Sequence, residues 1–296
     1  MTTAQTPPQT QQAPEAARSI HWMRVLLWAG VIFTFFFSLG PPLWELLTSI
    51  KTTEAITADR VVYLPGVNQL TLSHYWQLFT RNQFYFYIFN SALVAVVSTV
   101  LCLGIGSPAA YALARLRLPG ERFVLTTVLV VTLFPYILLF LGLLELVQIT
   151  GLANNYLALI IPYTAINLPL TILVMRSFFQ QLPKDLEDSA KVDGYNTLQM
   201  LWQIVLPMTL PALVTTGILT FIFAWNEYIF ALTFITRESM KTIPVAAAQL
   251  GGTTTFEVPY GPLAAATVLG TLPLVALVLF FQQKIVQGLT AGSVKG

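Results

Sequence analysis

The densest group of acidic residues in the chain lies in the stretch DLEDSAKVDG, residues 185–194. Its four carboxylates belong to Asp185, Glu187, Asp188 and Asp193. Paired carboxylates could act as general acid and base, or could bind a metal ion together with histidine. The two histidines, His21 and His74, stand singly in flanking regions, and no Ser-His-Asp arrangement accompanies them. The sequence therefore predicts neither a metal site nor a catalytic site in this chain.

The acidic stretch has the spacing of two short helices joined by a tight turn. Asp185 is placed to cap the first helix, with Asp188 in the third position, where a capping box usually has Glu or Gln. Gly194 supplies a stop, because glycine accepts the left-handed conformation that ends many helices. Asn196 can cap a second helix, with Gln199 as its capping-box partner. The pattern favours helix, turn, helix.

The second helix of this stretch should carry one apolar face. Tyr195 and Met200 are spaced for a hydrophobic staple across the cap. The face itself would consist of Leu198, Leu201, Trp202 and Val205. Such a pair of helices could be an ordinary interfacial connection or a rigid element that docks a cytoplasmic partner. The residues alone leave both interpretations open.

The chain that must position this stretch is too apolar for a soluble domain. Of its 296 residues, 55% are apolar and 9% are charged, with a mean hydropathy of +0.70, whereas soluble domains carry about 25% charged residues. The net charge of +2 is too small to indicate nucleic acid. About 20 apolar residues cross a bilayer. Six segments qualify, at residues 25–47, 87–113, 123–147, 157–178, 209–235 and 261–283.

We therefore expect an all-α membrane protein with six transmembrane helices in a lipid bilayer. With a cytoplasmic N-terminus, most lysines and arginines near the span ends fall on the inner side. Both termini and the loop 180–208 are then cytoplasmic. The expected organisation is a disordered polar tail (1–20), the first span with its external loop (21–85), a core of five helices (86–284) and a cytoplasmic tail (285–296).

The loop between the fourth and fifth spans carries a spaced motif. Asp188-Ser189-Ala190 is followed by three residues, Gly194, nine residues and then Ile204-Val205-Leu206-Pro207. This spacing resembles the cytoplasmic-loop signature of ABC-importer permeases, which reads Glu-Ala-Ala, three residues, Gly, nine residues, Ile-x-Leu-Pro. Asp188 stands in place of Glu and Ser189 in place of Ala, and both changes keep the chemical character.

Further segments resemble the carbohydrate permeases of maltose and trehalose importers. Residues 90–120 are similar to their second span and the loop after it, and FAWNEYIFAL (223–232) is similar to their fifth span. GLTAGSVKG (288–296) is similar to the tail of the maltose-type permease called the G subunit. The resemblance covers residues 73–296.

The resemblance implies a type I importer fold and a non-catalytic transport subunit in a bacterial inner membrane or archaeal cell membrane. A second, related permease would pair with this chain, two ATPase subunits would drive the pair, and an external binding protein would deliver the sugar. ATP and magnesium would belong to the ATPase subunits, because the chain has no G-x-x-x-x-G-K-[ST] motif. No cofactor is expected in this chain.

By the same resemblance, two sets of residues would contact the ATPase. The set in the coupling loop is Glu187, Asp188, Ser189, Ala190, Asp193, Gly194, Ile204, Leu206 and Pro207. The set in the C-terminal tail is Gly288, Leu289, Thr290 and Gly292.

Polar residues within the spans are candidates for a substrate pathway, because polar groups at membrane depth are costly. Aromatic side chains could stack on sugar rings while amide and carboxylate groups bond hydroxyls. The alternative is that the polar groups join helices and the aromatic rings only pack. The candidates are Tyr163, Asn167, Trp225, Asn226, Glu227 and Tyr228.

The leading functional hypothesis is a permease subunit that moves a di- or oligosaccharide of the trehalose or maltose type inward by alternating access. Another sugar, a polyol or glycerol phosphate is an alternative cargo, although no Lys or Arg stands at mid-span to favour a phosphate. A membrane enzyme acting on lipid or glycan would need carboxylates that the importer signature already explains. A secondary carrier would transport without an ATPase.

Overall fold

The computed structural model describes residues 15–251 and 258–291, with side chains described for 22–251 and 258–286. In these ranges the chain is helical, and its only β pairing is a single bridge between Lys51 and Leu70. The α-helices are α1 (Glu15–Ser49), α2 (Thr53–Ile56), α3 (Ser73–Thr80), α4 (Phe84–Arg115), α5 (Glu121–Leu133), α6 (Phe140–Ile149), α7 (Leu157–Gln181), α8 (Lys184–Val192), α9 (Thr197–Met200), α10 (Leu206–Met208), α11 (Leu210–Asn226), α12 (Ile229–Phe234), α13 (Ile243–Gln249) and α14 (Tyr260–Ala291).

The long helices supply the membrane spans. Helices α1, α4, α7 and α14 are each long and apolar enough to cross a bilayer. Two helix pairs also qualify as spans but are bent, by 91° between α5 and Tyr136–Ile149 and by 84° between Thr197–Met208 and α11. Counting one span for each bent pair gives six, the number that the sequence predicts. In the second pair, α11 lies within the predicted fifth span and Thr197–Met208 lies within the predicted loop 180–208.

The bend in the third span occurs at Phe134–Pro135. Phe134 is extended (φ −74°, ψ 129°) because a residue before proline is pushed out of the helical region. The fifth span differs from the continuous segment 209–235 that the sequence predicts. It ends at Asn226 and resumes at Ile229, with Glu227 extended between the two helices (φ −67°, ψ 131°).

The first helix is longer than expected. It begins at Glu15, inside the segment 1–20 that the sequence favours as a tail, because Glu-Ala-Ala-Arg is a good helix-forming run. Residues 1–14 lie outside the described residues. Most large apolar side chains of α1 are exposed, as expected of a helix that faces lipid or another subunit.

The core of the fold is the packing of α4 against α7 and α11. Small residues on α4 allow the close approach: a Cβ added to Gly106 would lie 2.6 Å from Cγ2 of Thr171 on α7. Two buried apolar clusters result. The first is centred on Tyr163, Trp225 and Phe230, and the second on Tyr111, Phe179 and Leu201. The second cluster includes Ala190 of α8, so it reaches the candidate coupling loop.

Candidate coupling loop and substrate path

Helix α8 begins two residues earlier than the sequence predicts. Pro183 occupies the cap position, and no side chain caps the helix, so the assignment of Asp185 as N-cap is wrong. The reason is the proline, which holds the preceding Leu182 extended (φ −67°, ψ 140°), ends α7 and lets the next residue start α8. Asp185 lies instead in the first turn with Glu187, where negative charge is favourable.

The turn that ends α8 forms as the sequence predicts. Gly194 has φ +86°, in the left-handed region. Its amide donates to the carbonyl of Lys191 at 3.1 Å, and the amide of Tyr195 donates to the carbonyl of Ala190 at 3.0 Å. These two bonds are those of a Schellman motif, which satisfies the free carbonyls of the last turn. The end of α8 is therefore fixed by the backbone.

The cap of the next helix is also confirmed. The side chain of Asn196 accepts from the amide of Gln199 at 2.9 Å, and the amide of Asn196 donates to Oε1 of Gln199 at 3.0 Å. Tyr195 and Met200 both pack in the second apolar cluster, as a staple across this cap requires. Two defined caps thus enclose a short turn between α8 and α9.

The prediction of a single apolar face after Asn196 is wrong. Leu201 and Val205 are buried, but Leu198 and Trp202 are more than half exposed. The cause is a π-helical turn, Leu201–Val205, between α9 and α10. A π turn adds a residue to the helical repeat and rotates the side chains relative to one another, so the four residues do not share one face.

One residue of the signature region points inward. The Glu187 carboxylate lies 2.9 Å from Nε of Arg115, the last residue of α4, and the two side chains are 11% and 6% exposed. A terminal nitrogen of Arg115 also donates to the carbonyl of Leu182 at 2.5 Å. Tyr111 is buried beside the same carboxylate. Glu187 is therefore bound within the chain, and its predicted contact with the ATPase does not fit this position.

The remaining signature residues divide by exposure. Ala190 and Leu206 are buried and Ile204 is partly buried, so these three anchor the loop. The exposed members are Asp188, Ser189, Asp193, Gly194 and Pro207. Three large apolar side chains are exposed beside them, Val192, Leu198 and Trp202. The surface of the loop is thus mixed polar and apolar, over a firmly packed base. We call these eight exposed residues the loop surface.

The predicted C-terminal contacts lie at or beyond the end of the described chain. Helix α14 runs to Ala291 and contains Gly288, Leu289 and Thr290, whose side chains are outside the described residues, as is the whole of Gly292.

The break in the fifth span is closed by Glu227. Its carboxylate accepts from the amides of Phe230 at 2.9 Å and Ala231 at 3.1 Å, so it caps α12. The hydroxyl of Tyr163 on α7 donates to the same carboxylate. Glu227 is buried, as is Tyr163. These contacts are those of a group that joins helices.

The other candidates differ in access. Trp225 is buried, stacked on Phe221, and its indole nitrogen donates to the carbonyl of Gly270 at 2.9 Å. Asn226 is exposed, and Tyr228 is 38% exposed. Asn167 is largely buried and donates to the carbonyl of Tyr163 at 2.8 Å. Of the six, only Asn226 and Tyr228 are exposed on the surface of this chain.

A cleft of about 610 Å³ lies between α5, α7, α11 and the bend of the third span. Its walls are mainly apolar, with polar groups from Thr132, Tyr136 and Asn167. Such a mixture suits a site that holds an uncharged polar molecule. In the described ranges, no group of three or more His, Cys, Asp or Glu side chains could hold a metal ion.

A group of hydrogen bonds joins α4 to the segment 238–241, on the side opposite the coupling loop, and the sequence did not predict it. We call this group the polar latch. Asn90 of α4 donates to the carbonyls of Ser239 and Lys241, each at 2.9 Å, and accepts from the hydroxyl of Tyr156 at 2.7 Å. Tyr87 donates to Glu238 at 2.7 Å, and Lys241 pairs with Glu238. The Lys241 hydrogen bond lowers the pKa of Glu238 more than its partial burial raises it. A buried Asn in an apolar span was the available signal.

The comparisons with known proteins decide the family. Residues 103–291 match the family model described as "Binding-protein-dependent transport system inner membrane component". The chain belongs to this family. The permease is 38% identical to the sulfoquinovosyl glycerol transport system permease protein SmoH of Agrobacterium fabrum, over 87% of this chain and 89% of that one. It is 37% identical to the trehalose transport system permease protein SugB of Mycobacterium tuberculosis, over 88% and 93%.

The fold of the permease matches a solved ABC importer. The match is a bacterial ABC transporter involved in the import of the acidic polysaccharide alginate, with a TM-score of 0.76, 24% identity and coverage of 93% of this chain and 99% of that one. The predicted importer-permease fold and carbohydrate-permease family are confirmed. The permease is a membrane-embedded, non-catalytic subunit of a carbohydrate ABC importer.

Proposed function

We propose that the permease moves a di- or oligosaccharide of the trehalose or maltose type inward by alternating access, in a bacterial inner membrane or an archaeal cell membrane. It pairs with a second, related permease, and an external binding protein delivers the sugar. Two ATPase subunits, which bind ATP and magnesium, dock on the cytoplasmic side, where both termini and the loop 180–208 lie. The observation that carries this proposal is the construction of that loop.

The loop is rigid where coupling requires rigidity. The Schellman turn at Gly194 and the capping box at Asn196 fix both sides of the connection between α8 and α9. Ala190 and Leu206 anchor it in the apolar core. A segment held in this way moves as one body when a partner pushes on it, whereas a flexible linker would absorb the movement.

The loop surface has the composition of a docking site. Val192, Leu198 and Trp202 are exposed apolar side chains in the loop 180–208, which we assign to the cytoplasmic side. Asp188 is exposed beside them, and its one ion pair among the described residues is with Lys191 on the same helix, at 3.3 Å. Central apolar anchors with a polar surround are typical of protein interfaces. We assign the ATPase contact to these residues and to the C-terminal segment 288–292.

The substrate path is proposed along the cleft and the break in the fifth span. Asn226 and Tyr228 are accessible, so they supply an amide and an aromatic ring for a sugar. Asn167 lines the cleft from α7. Tyr163, Trp225 and Glu227 are buried, and they support the helices along the path without reaching its surface. This division follows from burial: Asn226 and Tyr228 are exposed, whereas Tyr163, Trp225 and Glu227 are buried with their polar groups bonded within the chain.

The residues that line the cleft favour an uncharged sugar as the cargo. The relatives named above carry sulfoquinovosyl glycerol in one case and trehalose in the other. The cleft lining includes no Lys or Arg, which an anionic sugar or glycerol phosphate would need. An uncharged di- or oligosaccharide suits this lining better. Another neutral sugar or a polyol remains the alternative.

The test is ATP hydrolysis by the reconstituted complex, with its partner permease, ATPase and binding protein, across trehalose, maltose, maltotriose, sucrose, sulfoquinovosyl glycerol and glycerol phosphate. We expect stimulation by trehalose or a maltose-type sugar and loss of that stimulation in Gly194→Asp, with the variant still in the membrane. Stimulation by an anionic compound alone would overturn the cargo. Normal sugar uptake by Gly194→Asp would overturn the coupling role of the loop.

A further inference from the structure

A buried ion pair joins the coupling loop directly to α4. Arg115 ends α4, and Glu187 lies in the first turn of α8, with 2.9 Å between Nε and Oε1. In the described part of the chain, this is the only ion pair between α8 and another helix; the other pair on α8, Asp188–Lys191, stays within it. The chain itself connects α8 to α7, not to α4. The ion pair is therefore a second, non-covalent connection.

The Arg115 guanidinium holds three elements at one point. It pairs with α8 through Glu187, it donates to the carbonyl of Leu182 where α7 ends, and its own backbone ends α4. Arginine suits this role because its planar group offers several donors in a fixed geometry. A displacement of α8 relative to α4 would separate two buried opposite charges, which a low-dielectric environment opposes strongly.

The apolar contacts of α8 cannot replace this connection. Ala190 packs in the second apolar cluster, but contacts between apolar side chains have little directionality and allow sliding. The Arg115–Glu187 pair adds a charge attraction whose energy rises as the two groups separate. The last turn of α4 is held in addition by Arg176 of α7, which donates to the Leu113 carbonyl at 3.1 Å and pairs with Glu121 of α5 at 2.9 Å.

We propose that the Arg115–Glu187 pair transmits the movement of α8 to the inner end of α4, and that Arg115 is a positioning residue of the coupling machinery. The inference rests on the proposed docking of the ATPase on the loop surface and adds the route by which docking reaches the spans. Movement then passes from α8 to α4 through the ion pair, and from α4 to α7 and α5 through Arg176. Glu187 acts within this chain and Asp188 toward the ATPase.

The test is hydrogen exchange in the purified full complex, with and without a non-hydrolysable ATP analogue. In the wild type we expect the analogue to change amide protection in both α8 and the last turn of α4. In Glu187→Gln and Arg115→Gln, the analogue should still change amide protection in α8, whereas the change in the last turn of α4 should be at least fivefold smaller than in the wild type. Arg115→Lys, which keeps the charge, should recover part of it. Asp185→Asn, an exposed carboxylate-to-amide change on the same helix, should respond as the wild type does.

Transport gives the second readout. Sugar moved per ATP hydrolysed should fall at least fivefold in Glu187→Gln, with the ATPase subunits still bound, and the double variant Arg115→Gln/Glu187→Gln should be no worse than either single variant. An unchanged α4 response in both single variants would overturn the proposal. So would loss of the ATPase subunits in Glu187→Gln alone, since that would make Glu187 a docking residue. If the wild type moves none of the sugars tested, the cargo fails, and the exchange experiment still decides the ion pair.

Discussion

The hydroxyl of Tyr163 donates a hydrogen bond to the Glu227 carboxylate, and this contact ties α7 to the break between α11 and α12. The same carboxylate caps α12 through the amides of Phe230 and Ala231. One buried group thus replaces the hydrogen bonds that the broken helix lacks. A membrane span can be interrupted only where such partners exist, because the hydrocarbon region offers no water to the free amides.

Replacing Glu227 should therefore destabilise the permease more than replacing its neighbour. Glu227→Ala leaves buried donors unsatisfied, at about 1–3 kcal/mol for each, so we expect a markedly lower unfolding temperature in detergent. Glu227→Gln keeps one acceptor oxygen and should lose less. Asn226→Ala, at an exposed position, should change the free energy of unfolding by under about 0.5 kcal/mol. Equal effects of Glu227→Ala and Asn226→Ala on thermal unfolding would contradict the capping role.

Two glycines of α4, Gly106 at the contact with α7 and Gly104 away from it, allow a matched comparison. A Cβ at Gly106 would lie 2.6 Å from Thr171, whereas a Cβ at Gly104 would meet nothing within 4 Å. Gly106→Ala should force the helices apart and cost about 1–3 kcal/mol. Gly104→Ala should be neutral or slightly stabilising, because alanine favours the helix. Thermal unfolding of the two variants side by side checks this; a Gly106→Ala variant as stable as Gly104→Ala would refute the close packing.

The turn at Gly194 should respond to backbone strain rather than to steric crowding. Its φ of +86° disfavours other residues, but a Cβ there would meet nothing within 4 Å. The left-handed conformation costs an L-residue about 1–2 kcal/mol, less for Asn and more for a β-branched residue. We expect Gly194→Asn to keep most of the sugar-stimulated ATPase activity and Gly194→Val to lose most of it. Comparison of Gly194→Asn with Gly194→Asp separates strain from charge; equal activity of Asn and Val variants would contradict the conformational requirement.

The latch at Glu238 should weaken in acid. The pKa of Glu238 is lowered from 4.5 in the folded permease, chiefly by the hydrogen bond from Lys241. The stabilisation is therefore fully present above about pH 4.5 and is lost as the pH falls through the lower folded value. The effect should be small, because the Glu238 side chain is 68% exposed and the solvent screens the pair.

Thermal unfolding between pH 6 and pH 3 measures this effect. The wild type should be more stable than Glu238→Gln at pH 6, and the difference should shrink below about pH 4.5. Glu54→Gln, a change at an exposed carboxylate of α2, serves as control. A constant difference between wild type and Glu238→Gln across the range would contradict the assignment.

Much of the coupling loop could be predicted from the sequence because the caps and turns depend on neighbouring residues. The stop at Gly194 and the cap at Asn196 depend on residues within five positions of one another, and both form as predicted. The start of α8 was misassigned because Pro183 acts through Leu182, before the motif begins. The π turn at Leu201–Val205 follows from packing of the whole loop, which periodicity alone does not contain.

The contacts between distant residues were the least predictable part. Nothing in the spacing links Arg115 to Glu187 or Tyr163 to Glu227, because each pair lies more than sixty positions apart in the sequence. A charged residue at the end of an apolar span and a carboxylate within one do indicate that a partner exists. Only the packing of α4, α7 and α11 identifies that partner.

The most direct test of the account is site-specific cross-linking between the loop and the ATPase in the assembled complex. The only cysteine, Cys102, is buried, so single cysteines carrying a photo-cross-linker can be placed at Leu198 and Trp202 on the loop surface and at Thr80 on the opposite side. We expect Leu198 and Trp202 to link to the ATPase and Thr80 not to. Efficient cross-linking of neither loop position in a complex that hydrolyses ATP would contradict the docking role of this loop.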